Sequence, residues 1–339
     1  MSEPDHWDLA ALTAENLADW PSAGESSIFE IEKGGSGRRF FRISRGGPSV
    51  VLMHYTLDRP ENADFAPITD FLCKYQIPVP KILARDEPRN LLWIEDLGEA
   101  DLWLIRDADW ESVRRPAYEA TLEAVARIHQ LTESDLENRS TDKLPHFQPP
   151  FDAAMYHWEQ DYFFERYVAR FAEIDREIQQ EIRSSAPLAD LIDNLVALPR
   201  TLVHRDFQSQ NVMLPNHQPR FIDYQGMRYG RPEYDVASLL FDPYVPFSEQ
   251  ERIELARHYH RVAEDGSSFD EFENRLLRCG AQRLMQALGA YGFLGIDKQQ
   301  SAFLDHIEPA LTNLRWIAVE RDILPALAPL LKLGGNGVA

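Results

Sequence analysis

A chain of 339 residues, 44% hydrophobic and 27% charged, has the material for one large domain or two lobes around a substantial core. Its formal net charge of −20 argues against a nucleic-acid binder, which needs surplus lysine and arginine to neutralise phosphates. That charge fits a solvated acidic surface or a cationic ligand. Two cysteines, Cys73 and Cys279, are too few for a disulfide framework or a four-thiolate metal site, and their apolar contexts read as buried small hydrophobes.

The start, "MSEPDHWDLA", is acidic and lacks the basic-then-apolar pattern of a leader. No stretch approaches the about 18 apolar residues of a membrane span, so the expected location is cytoplasmic. A short amphipathic helix over about residues 6–20 comes first. Three β-rich runs follow, "SIFEIEK", "RRFFRIS" and "SVVLMHY", separated by the hairpin signals "GGSG" and "RGGP". A helix over about 61–75 precedes two further strands, "KILARDE" and "NLLWIED".

Five strands with one inserted helix make a compact lobe ending near Asp96. Beyond residue 100 the pattern changes to long helices such as "AYEATLEAVARIHQL", apolar at three- and four-residue spacing. The polar stretch "ESDLENRSTDKLPHFQPP" reads as a surface loop. The expected fold class is α+β, with a small β-rich N-terminal lobe (1–96, including the first helix) and a larger helical C-terminal lobe (97–339). A joint between such lobes is a place where ligands bind.

One strand-rich interruption breaks the helical part. Residues 202–225 read "LVHRDFQSQNVMLPNHQPRFIDYQ". Asp206 follows one short apolar run, Asn211 precedes the next, and Asp223 ends a third. Asn and Asp oxygens are hard ligands suited to Mg²⁺, which takes one or two protein carboxylates and completes its shell with substrate phosphates. Asn211 and Asp223 are the metal candidates, and Asp206 is left to take a proton from a substrate hydroxyl. This spacing is the one used in kinase-fold phosphoryl transfer from ATP. Loop and cap hydrogen bonds are the alternative use of such residues.

The pattern departs from protein kinases, which place Lys two residues after the catalytic Asp and read Asp-Phe-Gly at the second site. Here these positions hold Gln208 and "DYQ". The chain resembles the aminoglycoside phosphotransferase family of small-molecule kinases, which have a protein-kinase-like bilobal fold. "HRDFQSQN" and "FIDYQGMRYGRPEYDVASLLFDPYV" look closest to its branch of anomeric amino-sugar kinases, which phosphorylate N-acetylmuramate and N-acetylglucosamine at C1. The likeness extends through "GGSGRRFFRI", "SVVLM", "IPVPKILARD", "LLWIEDLGEADL", "ARIH" and "AQRLMQALGAYGFL". It departs at Gly226, where that branch usually has an acidic residue. The resemblance implies ATP and Mg as cofactors, a sugar as the small-molecule partner, and a role in cell-wall recycling. An aminoglycoside acceptor and a non-catalytic nucleotide binder are the rival readings.

In this reading the hairpin glycines Gly34, Gly35 and Gly37 bring backbone N–H groups to the nucleotide phosphates; an ordinary turn is the alternative. Strand three offers Met53 where kinases carry the phosphate-binding Lys. If Ile43 faces the nucleotide, alternation puts Arg39 on the same face, with Arg38 behind it and Arg42 pointing away. Arg39 is therefore the candidate phosphate contact. Glu95 and Leu97, at the strand end before the second lobe, are by resemblance adenine contacts through their backbone groups. Asp242, Gln225 and Glu159 are candidate sugar contacts, or else capping and surface residues. His204 is read as a structural brace of the loop backbone; Asp235 suits the first turn of a helix and by resemblance also steadies the catalytic loop.

Overall fold

The computed structural model describes residues 7–31, 37–139 and 144–331. Internal contacts divide the chain into two compact units. The first comprises Met1–Ala100, Asp142–Phe147 and Met213–Gly226, and the second Asp101–Thr141, Gln148–Val212 and Met227–Ala339.

In the first unit, helix α1 (Leu9–Asn16) starts at Asp8, whose carboxylate accepts the Ala11 N–H (2.9 Å) as an N-cap. Strands β1 (Ser26–Ile31), β2 (Arg38–Arg45) and β3 (Ser49–Tyr55) follow, then helix α2 (Phe65–Lys74), β4 (Ile82–Asp86) and β5 (Leu91–Glu95). The strands form an antiparallel sheet in the order β1-β2-β3-β5-β4. Successive strand residues point to opposite faces. Phe41, Ile43, Val50, Leu52, Leu91 and Trp93 share one face, packed with Leu9 and covered by Trp7, Leu12, Leu17 and Trp20. Each such fully buried side chain contributes roughly 1.5–3 kcal/mol. The Trp93 indole N–H donates to Thr13 Oγ1 (2.9 Å), which fixes α1 over the sheet.

The opposite face carries Arg38, Phe40, Arg42, Val51 and Met53. Helix α2 holds the later segment of this unit: Phe65 stacks on Tyr224 (5.2 Å between centroids), and Thr69 shares a 2.7 Å hydrogen bond with the Tyr224 hydroxyl.

The second unit is mainly helical. Its helices are α3 (Arg115–His129), α4 (Glu133–Arg139), α5 (Ala153–Phe163), α6 (Ala169–Phe171), α7 (Arg176–Arg183), α8 (Ala186–Val196), α9 (Pro232–Leu240), α10 (Glu249–Ala263), α11 (Phe269–Gly292) and α12 (Ile307–Arg315). Helix α11 packs against α5, α9 and α12, and α10 against α3. At Gly292 a side chain has no room, since a Cβ there would lie 2.1 Å from the Arg166 carbonyl oxygen. Strand β6 (Thr201–Val203) leads into the Asp206 segment. The short β7 (Val212–Met213) follows it, β8 (Arg220–Phe221) belongs to the first unit, and β9 (Arg228–Gly230) returns antiparallel to β6, with Val203 opposite Arg228.

The class is α+β, as the sequence pattern indicates. Three local expectations need correction. The first helix spans eight residues rather than about fifteen. Residues 133–139 are helical, not loop, because Thr132 Oγ1 accepts the Asp135 N–H (3.0 Å) and so supplies a cap. Cys279 is buried but Cys73 is exposed. Among the described residues no helix is long and apolar enough to cross a membrane.

Candidate active site

Asp206 sits on the loop that leaves β6, and that loop is tied down at three places within the second unit. Asp235, on the first turn of α9 and fully buried, accepts the backbone N–H of His204 (2.6 Å) and of Arg205 (2.8 Å). Its Oδ2 also meets His129 Nε2 at 3.1 Å, and His129 Nδ1 is 2.7 Å from the Tyr259 hydroxyl. The grip matters because Arg205 holds a left-handed backbone (φ 81°), costly for a long side chain and seen where surrounding structure enforces it.

Asn211 donates its side-chain N–H to the Asp206 carbonyl (2.8 Å), which turns its Oδ1 the other way as an oxygen donor. Asp242, 1% exposed, accepts the Ser209 N–H (2.8 Å), the Ser209 hydroxyl (2.6 Å) and the Tyr244 N–H (3.0 Å).

Around Asp206 the charge is positive. Arg205 Nη1 is 3.4 Å from Asp206 Oδ2 and Arg283 Nη2 is 3.8 Å from Oδ1. Burial alone would raise the Asp206 carboxyl, but Arg205, Arg283, His204 and Arg228 outweigh it and hold the group below the usual carboxylate range. Asp206 is therefore ionised at neutral pH. Asp206 in turn raises Arg205, while burial and repulsion from Arg205 pull Arg228 down to about 10.

Asp223 belongs to the first unit. It follows β8 with φ 63°, a left-handed conformation that aspartate tolerates better than most residues. Its Oδ1 accepts from Arg38 Nη2 (2.7 Å) and Gln225 Nε2 (2.8 Å). An amide oxygen such as that of Asn211 and a carboxylate such as that of Asp223 are each hard donors of the kind Mg²⁺ takes. Among the described residues no group of three or more His, Cys, Asp or Glu side chains could hold a metal ion.

Several expected roles change. Arg39 lies on the sheet face that α1 covers, because Ile43 is a core residue of that face and not a ligand contact. Its guanidinium instead grips Glu30 on β1 (2.8 and 3.0 Å). Arg42 does point away from the Ile43 face, as alternation indicates; it shares the face of Arg38 and binds Asp96 (2.8 Å), Glu99 (2.7 Å) and the Gly98 carbonyl (2.9 Å). Asp242 and Glu159 are buried and act as braces in this structure: Glu159, 1% exposed, accepts from the Tyr234 hydroxyl (2.8 Å) and Gln282 (3.0 Å). Gln225 serves Asp223. Glu95 ends β5 and gives its N–H to the Lys81 carbonyl (2.9 Å), with Leu97 buried just beyond. Gly34 and Gly35 lie outside the described residues; Gly37 takes φ 68°, a conformation suited to glycine.

Sequence reading passed over His129, Arg283 and Arg228. The signals were present only as fragments, "ARIH" and "AQRLMQALGAYGFL", whose helical periodicity does not say which residue turns to a loop.

The α+β scaffold, with an ionised and braced aspartate on the loop after β6, is that of a phosphotransferase of protein-kinase-like fold. The family model described as "Phosphotransferase enzyme family" matches residues 27–272, and the chain belongs to that family. It is 24% identical over 318 residues to the N-acetylmuramate/N-acetylglucosamine kinase of Pseudomonas aeruginosa, covering 92% of this chain and 90% of that protein. It is 26% identical over 309 residues to the protein of the same name from Neisseria meningitidis, covering 88% of each. Among solved structures, the choline/ethanolamine kinase family protein from Mesorhizobium loti has a similar fold, with TM-score 0.62, 15% identity, and coverage of 95% of this chain and 98% of that one.

Proposed function

We propose that the protein is an ATP- and magnesium-dependent kinase that moves the γ-phosphoryl group to a hydroxyl of an amino sugar, the anomeric hydroxyl of N-acetylmuramate or N-acetylglucosamine. The observation that carries this reading is the ionised Asp206 on a loop whose backbone is fastened by Asp235, Asn211 and Asp242. The names of the two relatives support the acceptor.

In this proposal residues 1–96 form the nucleotide lobe, and the Gly34–Gly37 turn approaches the phosphates with backbone N–H groups. Leu97 and the Glu95 carbonyl meet the base. Residues 97–339 supply catalysis and the acceptor site. Asp206 accepts the hydrogen bond of the sugar hydroxyl, aims its oxygen, and receives its proton as the new bond forms. A carboxylate held at low basicity suits that late transfer, because positioning and charge neutralisation supply most of the rate in phosphoryl transfer. Asn211 and Asp223 hold magnesium, which when bound neutralises charge on the nucleotide phosphates.

Arg205, Arg228 and Arg283 near Asp206 favour a neutral or anionic sugar over a polycationic aminoglycoside, although the whole chain is acidic. A non-catalytic nucleotide binder, suggested by Met53, predicts ATP binding with no transfer to any sugar. An ADP-release screen of N-acetylated amino sugars against kanamycin-type compounds, with NMR of the product to locate the phosphate, tests the reading. Transfer to an N-acetylated sugar supports it; transfer only to aminoglycosides, or to nothing, overturns it.

A further inference from the structure

Strand β3 cannot supply the cation that kinases use to hold the nucleotide's α- and β-phosphates, because Met53 stands there, fully buried between its cross-strand partners Phe40 and Leu92. The sheet register shows what can. Arg38 lies opposite Tyr55, two residues beyond Met53. Arg38 is thus the diagonal neighbour of Met53 on the same face, a separation that a long side chain spans. Its side chain is 6% exposed, and its guanidinium passes near the Phe40 ring (5.9 Å) to Asp223 Oδ1 at 2.7 Å. So the charge missing from position 53 is delivered from the adjacent strand, beside the carboxylate assigned to the metal. Arg39 does not compete for this role, since it turns to the opposite face and is held by Glu30.

We propose that Arg38 is the phosphate-binding cation of this enzyme, replacing the strand-three lysine and orienting Asp223. The fork geometry of a guanidinium suits both tasks, since one edge can meet a carboxylate while another N–H meets a phosphate oxygen. This assignment rests on the nucleotide-dependent kinase reading.

The test is calorimetric binding of Mg·ATP and of adenosine, which lacks phosphates, to the wild type, Arg38→Gln and Arg38→Lys. Gln keeps an N–H for Asp223 but no charge, so the loop retains a donor. The expected result for Arg38→Gln is an affinity for Mg·ATP weaker by about 10- to 100-fold, the scale of one charge-assisted hydrogen bond. Adenosine binding should change by less than about two-fold, and Arg38→Lys should recover a substantial part of the loss. Unchanged Mg·ATP affinity in Arg38→Gln, or equal losses for Mg·ATP and adenosine, overturns the assignment while leaving the kinase reading intact. A wild type that binds no Mg·ATP overturns both.

Discussion

Asn211 donates its side-chain N–H to the main-chain carbonyl of Asp206 across 2.8 Å. One residue therefore fixes the shape of the Asp206 loop with its nitrogen, and in the proposed site its oxygen meets the metal. The two jobs separate by mutation. Asn211→Ala removes both, and the concentration of Mg²⁺ needed for half-maximal ADP release should rise by about 10- to 100-fold, as for other lost metal-site supports. Asn211→Asp restores the oxygen without the donor and should recover metal affinity more than turnover. A Mg²⁺ titration of ADP release, paired with Mn²⁺ binding followed by electron paramagnetic resonance, reads both.

The buried Asp235 carries a different cost. Its carboxylate serves the N–H groups of His204 and Arg205 and the His129 ring. Asp235→Ala leaves these buried donors without an acceptor and releases the left-handed Arg205. The expected loss is about 3–5 kcal/mol of stability, measured by urea unfolding. Asp235→Asn keeps one acceptor oxygen and should lose less.

Arg42 and Asp96 give a pH-dependent term. Burial would raise Asp96, but the hydrogen bonds from Arg42, the Gly98 N–H and Ser49, with the Arg42 charge, hold its carboxyl below the ordinary range. A folded-state pKa below the unfolded value adds stability that is present above about pH 4 and is lost as pH falls through the folded value. Thermal unfolding between pH 3 and 7 should therefore show a shallower acid-side decline in Asp96→Asn than in the wild type. The variant should also be about 1–3 kcal/mol less stable at neutral pH.

Activity has its own acid limb. In the proposed mechanism Asp206 must be ionised to accept the hydroxyl, and nearby arginines keep it so against the effect of burial. In the wild type, loss of kcat/KM from this group should begin only below about pH 4. Arg283 stands 3.8 Å from Asp206 and contributes to that depression, so Arg283→Gln should move the limb to higher pH. A pH–rate profile of the two proteins checks the direction.

Much of this was legible before the structure. The hairpin glycines, the alternating strands and the spacing of Asp206, Asn211 and Asp223 are local patterns, and the strands they imply are present. What local pattern could not show was which face of the sheet is covered. Ile43 and Phe41 look equally able to meet a ligand or a helix, and only α1 with Trp7, Leu12 and Trp20 decides it. That single choice put Arg39 on the covered face and left Arg38 on the other. The burial of Asp242 and Glu159 was hidden for a related reason: their partners, Ser209, Tyr234 and Gln282, lie far along the chain and cannot be read from neighbouring residues. Arg283 is one polar residue within a helix, and its approach to Asp206 depends on how α11 packs against α9.

The central assignment, Asp206 as the group that receives the acceptor's proton, is tested most directly by Asp206→Ala, with Mg·ATP affinity and sugar-dependent ADP release measured on the same preparation. The account predicts near-native nucleotide binding and turnover reduced by about 10²- to 10⁴-fold. Undiminished turnover in that variant would contradict it.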